Sequence, residues 1–126
     1  MAFVCPECLT PGSLQITASL QLPSDSRSDD IALQIVECAN CPFKGIAVYE
    51  ESRRGPLEVD LWEHTGYRVG KPALQQLSDA ISKCPQPANA HCTCAVHQLL
   101  GQQDSHGRWQ SPQAIEEQDT FPMHLV

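Results

Sequence analysis

Two cysteine pairs with the same spacing are the residues best suited to chemistry in this chain. Cys5 and Cys8 are separated by two residues, and Cys38 and Cys41 repeat that spacing. Two thiolates on such a tight turn can both bind one Zn²⁺ at about 2.3 Å, and a second turn of the same kind completes a tetrahedron. The spacing therefore predicts a structural zinc site with Cys5, Cys8, Cys38 and Cys41 as its ligands.

A second group of ligand-type residues lies in the later half of the chain. Cys94 and His97 are three residues apart, so on one helical turn both side chains project the same way. With Cys84 and Cys92 they predict a second zinc site of three thiolates and one imidazole, and the two sites together use all seven cysteines. His91 is the alternative to His97 as the fourth ligand.

Other uses of these cysteines stay open at this point. The pairs could form disulfides or simply pack in the interior, and a Cys-x-x-Cys pair can also support thiol redox chemistry. In the second group, Cys92 or Cys94 beside His97 could be a nucleophile pair, although no orienting Asp or Asn and no glycine-rich oxyanion loop is evident nearby. The sequence favours a protein that is not an enzyme.

Composition limits the kind of protein and its partners. The chain has 126 residues, only 6% of them aromatic, and a formal net charge of −7. A core this thin suggests that metal supplies part of the folding free energy. No segment is typical of a membrane span or a secretory signal. Cysteines in Cys-x-x-Cys pairs without a signal peptide favour a reducing compartment, so we expect a cytoplasmic protein. The negative charge disfavours nucleic acid and favours a protein partner with basic patches; no small-molecule substrate is evident.

The elements that must position the ligands are mostly strands. Alternation of apolar and polar residues predicts strands over 13–22, 31–38 and 45–51, and a weaker edge strand over 57–62. The first strand places five apolar residues on one face: Leu14, Ile16, Ala18, Leu20 and Leu22. Residues 66–70 are predicted to form a loop, and Pro72 opens a predicted helix over 72–83. A short helix is expected to end at Gly101.

We therefore expect a small, metal-stabilised α+β fold. It comprises a three-stranded antiparallel ribbon, then a helix, then the second Cys/His segment. The expected divisions are a ribbon over 1–56, a helical extension over 57–101 that packs on it, and a polar, partly ordered tail over 102–126. A short helix could begin at Ser111 and Pro112 within that tail.

The order of strand, loop, strand, metal turn and strand resembles the zinc-ribbon superfamily over residues 5–51. The resemblance implies that Cys5, Cys8, Cys38 and Cys41 are the ligands. Zinc ribbons serve in transcription, translation, repair and protein docking, so the resemblance is informative about fold and much less about function.

One loop is similar to the acidic hairpin of the transcript-cleavage zinc ribbons that act on RNA polymerase. Asp29 and Asp30 lie at the distance before Cys38 at which that family carries an acidic pair that assists Mg²⁺. The pair here is Asp-Asp instead of Asp-Glu. The alternative is a solvated loop whose charge keeps the hairpin soluble.

The leading hypothesis is a non-catalytic, zinc-binding adaptor that docks on another protein. Candidate contact residues are Arg53, Arg54, Trp62 and Tyr67, together with the apolar residues near the C-terminus. The alternatives are a ribbon associated with nucleic acid or RNA polymerase, which would use Asp29 and Asp30, and a thiol redox protein.

Overall fold

The computed structural model describes residues 2–53, 61–116 and 118–125. These residues form an α+β fold that is mostly antiparallel sheet. The strands are β1 (Ala2–Phe3), β2 (Leu14–Leu22), β3 (Asp30–Cys38), β4 (Lys44–Ser52), β5 (Leu61–Tyr67) and β6 (Thr120–Pro122). The helices are α1 (Lys71–Lys83) and α2 (Ala95–Leu100), followed by a short 3₁₀ turn at Gln113–Ile115.

The sheet has six strands in chain order, and every neighbouring pair is antiparallel. The two ends of the chain also meet. Phe3 of β1 bridges to Leu125, and the amide of Val4 donates to the carbonyl of His124 at 3.0 Å. The N-terminal strand therefore lies beside residues 124–125, which follow β6.

The three predicted strands correspond to β2, β3 and β4, but they do not form a separate three-stranded ribbon. They are the middle of the six-stranded sheet, because β1 covers the outer edge of β2 and β5 covers that of β4. Most of the predicted edge strand over 57–62 lies outside the described residues. β5 instead extends through Tyr67, into the segment where a loop was expected. Because Glu63, His64 and Thr65 are polar, this strand lacks the alternation of apolar and polar residues by which strands are recognised in a sequence.

A β-bulge at Thr17 divides β2 into two halves that face opposite sides of the sheet. Ile16 pairs with Val36 and Ala18 pairs with Ile35, so Thr17 has no partner of its own on β3. The prediction that all the alternating apolar residues of β2 share one face is therefore wrong. Leu14 and Ile16 pack on one side of the sheet, and Ala18, Leu20 and Leu22 pack on the other.

Each face of the sheet has its own core. One face packs against α1, α2 and the second Cys/His segment, and its buried residues include Leu20, Leu33, Ile46, Leu77 and Ile81. The other is a smaller cluster made by Phe3, Cys5, Leu14, Val36, Ala47, Phe121 and Met123. β3 serves both, which explains why six consecutive residues from Ile31 to Val36 are buried.

The predicted helix over 72–83 is confirmed as α1, with Pro72 in its first turn and Leu77 and Ile81 facing the sheet. Helix α1 ends at Cys84, whose extended backbone precedes Pro85. The second short helix is confirmed as α2, which ends at Gly101. None of the helices in the described ranges is both long and apolar enough to cross a membrane.

The segment after Gly101 contributes to both cores, although the sequence predicts a partly ordered tail. Trp109, Ile115, Phe121 and Met123 are all buried. Asp25 holds this segment to the loop between β2 and β3, because its buried carboxylate accepts hydrogen bonds from the amides of Ser28 and Trp109 at 2.6 Å each and pairs with Arg108. These apolar side chains are too few to form a separate core, and they pack instead into the two cores of the sheet.

Candidate metal centres

The first cluster brings together the four cysteines of the two Cys-x-x-Cys pairs. All four sulfur atoms lie within 4.8 Å of one another, with Cys5 Sγ 3.6 Å from Cys41 Sγ and Cys8 Sγ 3.7 Å from Cys38 Sγ. A tetrahedral ion with metal–sulfur bonds of about 2.3 Å separates its sulfur ligands by about 3.8 Å. The observed separations fit such an ion.

Each pair is shaped by a tight turn whose amides point at sulfur. The amide of Glu7 lies 3.4 Å from Cys5 Sγ, and the amides of Asn40 and Cys41 each lie 3.3 Å from Cys38 Sγ. Such hydrogen bonds favour the thiolate form that binds a metal. The first turn also forces Leu9 into the left-handed region, with φ of 60°.

The second cluster contains Cys84, Cys92, Cys94 and His97, as the spacing predicts. Cys84 Sγ lies 3.9 Å from Cys92 Sγ and 3.5 Å from Cys94 Sγ. His97 Nδ1 lies 3.2 Å from Cys84 Sγ and 3.4 Å from Cys94 Sγ. These ligands come from the end of α1, the following loop and the first turn of α2.

The orientation of His97 is fixed by a hydrogen bond on the far side of its ring. His97 Nε2 lies 2.9 Å from the backbone carbonyl oxygen of Gln21, so Nε2 carries the proton and donates it. Nδ1 is then left with a lone pair directed at the thiols, which is the form that binds a metal. His97 is buried, whereas His91 is exposed and lies outside the cluster.

Ionisation of the cysteines is uneven within each cluster. Hydrogen bonds from Thr10 and Asn40 lower the pKa of Cys8 to about 5, and the amide of His97 lowers the pKa of Cys94 to about 6. Burial, followed by the nearby thiols, raises the pKa of Cys84 to about 11. Although the amide of Phe43 opposes the change, burial and three neighbouring thiols raise the pKa of Cys41 to about 12. Without a cation, repulsion between adjacent thiolates opposes ionisation of all the thiols together. A divalent ion would offset that repulsion.

Polar residues around the sulfur atoms could not be identified from spacing. Asn40 Nδ2 donates to Cys8 Sγ at 3.6 Å, and Ser13 Oγ lies 3.3 Å from Cys38 Sγ. The carbonyl of Gln21 is similarly remote from His97 in sequence. Nothing in their residue types distinguishes them from other surface polar residues, because only the pairing of strands brings them to the ligands.

The candidate interaction residues do not form one surface. Trp62 is exposed at the start of β5, whereas Tyr67 lies at its other end and packs with the α1 side of the sheet. Tyr67 lies five positions after Trp62, and residues an odd number of positions apart on a strand point to opposite faces. Arg54 lies outside the described residues.

Arg53 is engaged with the two acidic residues of the β2–β3 hairpin. Its guanidinium lies 2.6 Å from Asp30 Oδ2, and its amide donates to Asp29 Oδ2 at 2.6 Å. Its guanidinium also lies 3.4 Å from Glu51. The acidic pair therefore has a cationic partner within the chain.

Comparison with known proteins adds no assignment. No family model, no curated protein and no solved structure matches the chain. What can be stated of its relationships rests on its own residues: two Cys/His clusters placed to bind metal, in a small α+β fold.

Proposed function

We propose that this protein is a non-catalytic, zinc-binding interaction module. The observation that carries the proposal is that each cluster supplies four ligand atoms from the protein itself. A tetrahedral ion in either cluster would have no position left for water or substrate, which is typical of structural sites and not of catalytic ones. Thiolate and imidazole ligands in tetrahedral sets suit zinc.

Metal content is the direct test of this part of the proposal. Elemental analysis of the purified protein should give two zinc ions per chain. Cys5→Ser and Cys84→Ser should each reduce the content to one, because each removes a ligand from a different cluster. Zero zinc, or a metal other than zinc in both clusters of the natively expressed protein, would contradict the proposal.

The interaction role rests on charge and on exposed apolar surface. The net charge of −7 counts every thiol as neutral, and two filled zinc sites would bring it to about −10. Trp62 and Leu125, which are 60% and 56% exposed, lie at one rim of the same surface cavity. An exposed tryptophan in acidic surroundings suits a protein partner with a basic surface.

A capture experiment with a matched control tests the role of Trp62. A partner retained by the wild-type protein, identified and then purified, should lose at least tenfold in affinity for the Trp62→Ala variant. Leu99→Ala is the control, because Leu99 is similarly exposed, at 65%, but lies on α2, away from the surface around Trp62. Equal binding by both variants would exclude this surface. Salt-dependent binding to DNA or RNA would instead support the nucleic-acid alternative.

A further inference from the structure

A cavity of about 240 Å³ opens on the side of the sheet that faces away from α1. It is lined by residues of the strands from β1 to β5 and by residues near the C-terminus. Its wall is largely aromatic and apolar, and it includes Phe3, Gln34, Tyr49, Trp62, His64 and Met123. Neither metal cluster contributes a ligand to this wall.

The polar atoms of the cavity belong to one side-chain pair. His64 Nε2 lies 2.7 Å from Gln34 Oε1, and the rings of Phe3 and Tyr49 meet the His64 ring edge-on, with centroids at 5.1 and 5.4 Å. This packing fixes the imidazole, and the hydrogen bond fixes the amide. Both groups are therefore held in one orientation before any ligand arrives.

The second polar atom of each side chain, Gln34 Nε2 and His64 Nδ1, can form further hydrogen bonds. Gln34 is 7% exposed, yet no group in the described part of the chain bonds to its amide nitrogen or to His64 Nδ1. Within the same residues no fully buried side-chain nitrogen or oxygen lacks a partner, so these two atoms are open to the cavity. A ligand there would meet one N–H donor and one nitrogen acceptor.

The described wall of the cavity carries no formally charged side chain, since no Asp, Glu, Lys or Arg belongs to it. Glu51, which accepts a hydrogen bond from the Tyr49 hydroxyl at 2.8 Å, also pairs with Arg53, and Glu63 pairs with Arg27 at 3.0 Å. Burial lowers the pKa of His64, which favours the neutral form of its ring. The described wall therefore offers no charged group that would pair with an ionic ligand.

We propose that this cavity binds a small, uncharged, planar molecule that carries a hydrogen-bond acceptor and a donor, as a cyclic or aromatic amide does. The Gln34 amide donates to the acceptor, His64 Nδ1 accepts from the donor, and the aromatic wall contacts the ring faces and edges. The volume of about 240 Å³ lies below the range of about 300–1,000 Å³ that is typical of drug-sized ligands, so the ligand is smaller, on the order of ten non-hydrogen atoms. This inference goes beyond the interaction role and does not depend on it.

A matched series of probes tests the ligand class on the full zinc-loaded chain. Benzamide has the proposed shape and polarity, benzoate and benzamidinium add a negative or a positive charge, and cyclohexanecarboxamide removes the flat ring. In ¹⁵N-resolved NMR, benzamide should shift the indole signal of Trp62 but not that of Trp109, with a Kd of about 1 mM, as expected for a fragment. The other three probes should bind at least tenfold more weakly.

Variants separate the cavity from the outer surface. Gln34→Leu should weaken benzamide at least fivefold, whereas Gln15→Leu, the same change at an exposed position of β2, should leave it unchanged. If Gln34→Leu loses its fold or zinc, Trp62→Ala serves instead, because Trp62 is exposed and its loss should weaken benzamide at least threefold. The proposal is overturned if benzamide gives no saturable shift at 20 mM, if benzamidinium or benzoate binds as tightly, or if these cavity variants bind like the wild type.

Discussion

A single hydrogen bond orients His97 in the second cluster, whereas the nearby His91 lies outside that cluster. The carbonyl of Gln21 holds Nε2 of His97, and Nδ1 faces two thiols. A histidine that must first be oriented would contribute less to metal affinity, because orientation costs conformational entropy and leaves the wrong tautomer accessible. His91 has no such support, since it is exposed on the preceding loop.

We expect His97→Ala to lower the zinc content from two ions to one under mild chelation. His91→Ala is the matched control and should retain both ions. Elemental analysis after dialysis against a competing chelator distinguishes the two variants. Retention of both ions by His97→Ala would mean that the imidazole of His97 does not bind the metal.

Leu9 carries backbone strain in the turn of the first cluster. Its φ of 60° lies in the left-handed region, which costs a side-chain-bearing residue roughly 1–2 kcal/mol, and its side chain is 69% exposed. We expect Leu9→Gly to raise the free energy of unfolding by about 1 kcal/mol, because glycine adopts this φ without strain and little packing is lost. Urea unfolding of the zinc-loaded protein measures the change.

Leu9→Ala provides the comparison for that experiment. Alanine keeps the strained backbone and removes the same exposed side chain, so its stability should stay within about 0.5 kcal/mol of the wild type. A gain in both variants would assign the effect to the loss of the leucine side chain instead.

At the level of single residues, the two Cys/His clusters could be predicted because metal binding requires a particular spacing along the chain. Cys5 and Cys8, or Cys94 and His97, are close in sequence and their geometry is local. The spacing from Cys94 favours His97 over His91, but the hydrogen bond that orients the His97 ring could not be predicted, since its acceptor is a carbonyl of β2. Gln34 and His64 carry no sequence signal at all, because only the register of β3, β4 and β5 brings them together.

At the level of elements, the bulge at Thr17 explains why β2 contributes to both cores. A strand with strict alternation would keep all its apolar residues on one face. The extra residue rotates the second half of β2, so Leu14 reaches the first metal cluster while Leu20 and Leu22 reach the core under α1. The alternation predicts the strand, but it gives no indication of the bulge because Thr17 fits the polar half of the pattern.

The pairing of β5 with β6 requires a glycine at position 66. A Cβ added there would collide with the ring of Phe121, its partner across the two strands. We expect Gly66→Ala to lower the free energy of unfolding by about 1–3 kcal/mol, the usual cost of overpacking in a well-packed site. Chemical denaturation of the zinc-loaded variant checks this value.

Two variants establish whether the Phe121 ring is the cause. Gly70→Ala should change stability by less than about 1 kcal/mol, because a Cβ at that position meets only Pro72 at an ordinary contact distance of 3.7 Å. In a Phe121→Ala background the cost of Gly66→Ala should largely disappear. An undiminished cost in that background would point to the backbone of β5 and not to the ring.

At the level of the whole molecule, the two ends of the chain meet in the core beside the first metal cluster. Phe3 and Cys5 near the N-terminus share one core with Phe121 and Met123 near the C-terminus, and the cysteines of the first cluster pack against it. The second cluster lies on the other side, between α1, α2 and β2. Local periodicity could not predict this contact, because β1 has only two residues and its bridge from Phe3 to Leu125 spans nearly the whole chain.

Removal of residues 118–126 is therefore expected to destabilise the fold and to weaken the first cluster selectively. The loss of buried Phe121 and Met123 corresponds to about 3–6 kcal/mol of apolar burial. One zinc should become easily removed by a competing chelator, while the ion held by the second cluster remains. His124→Ala is the control, because that side chain is exposed and its carbonyl bond to Val4 persists. Retention of both ions and of wild-type stability after truncation would show that these residues are dispensable, as expected of a tail and not of a strand that completes the sheet.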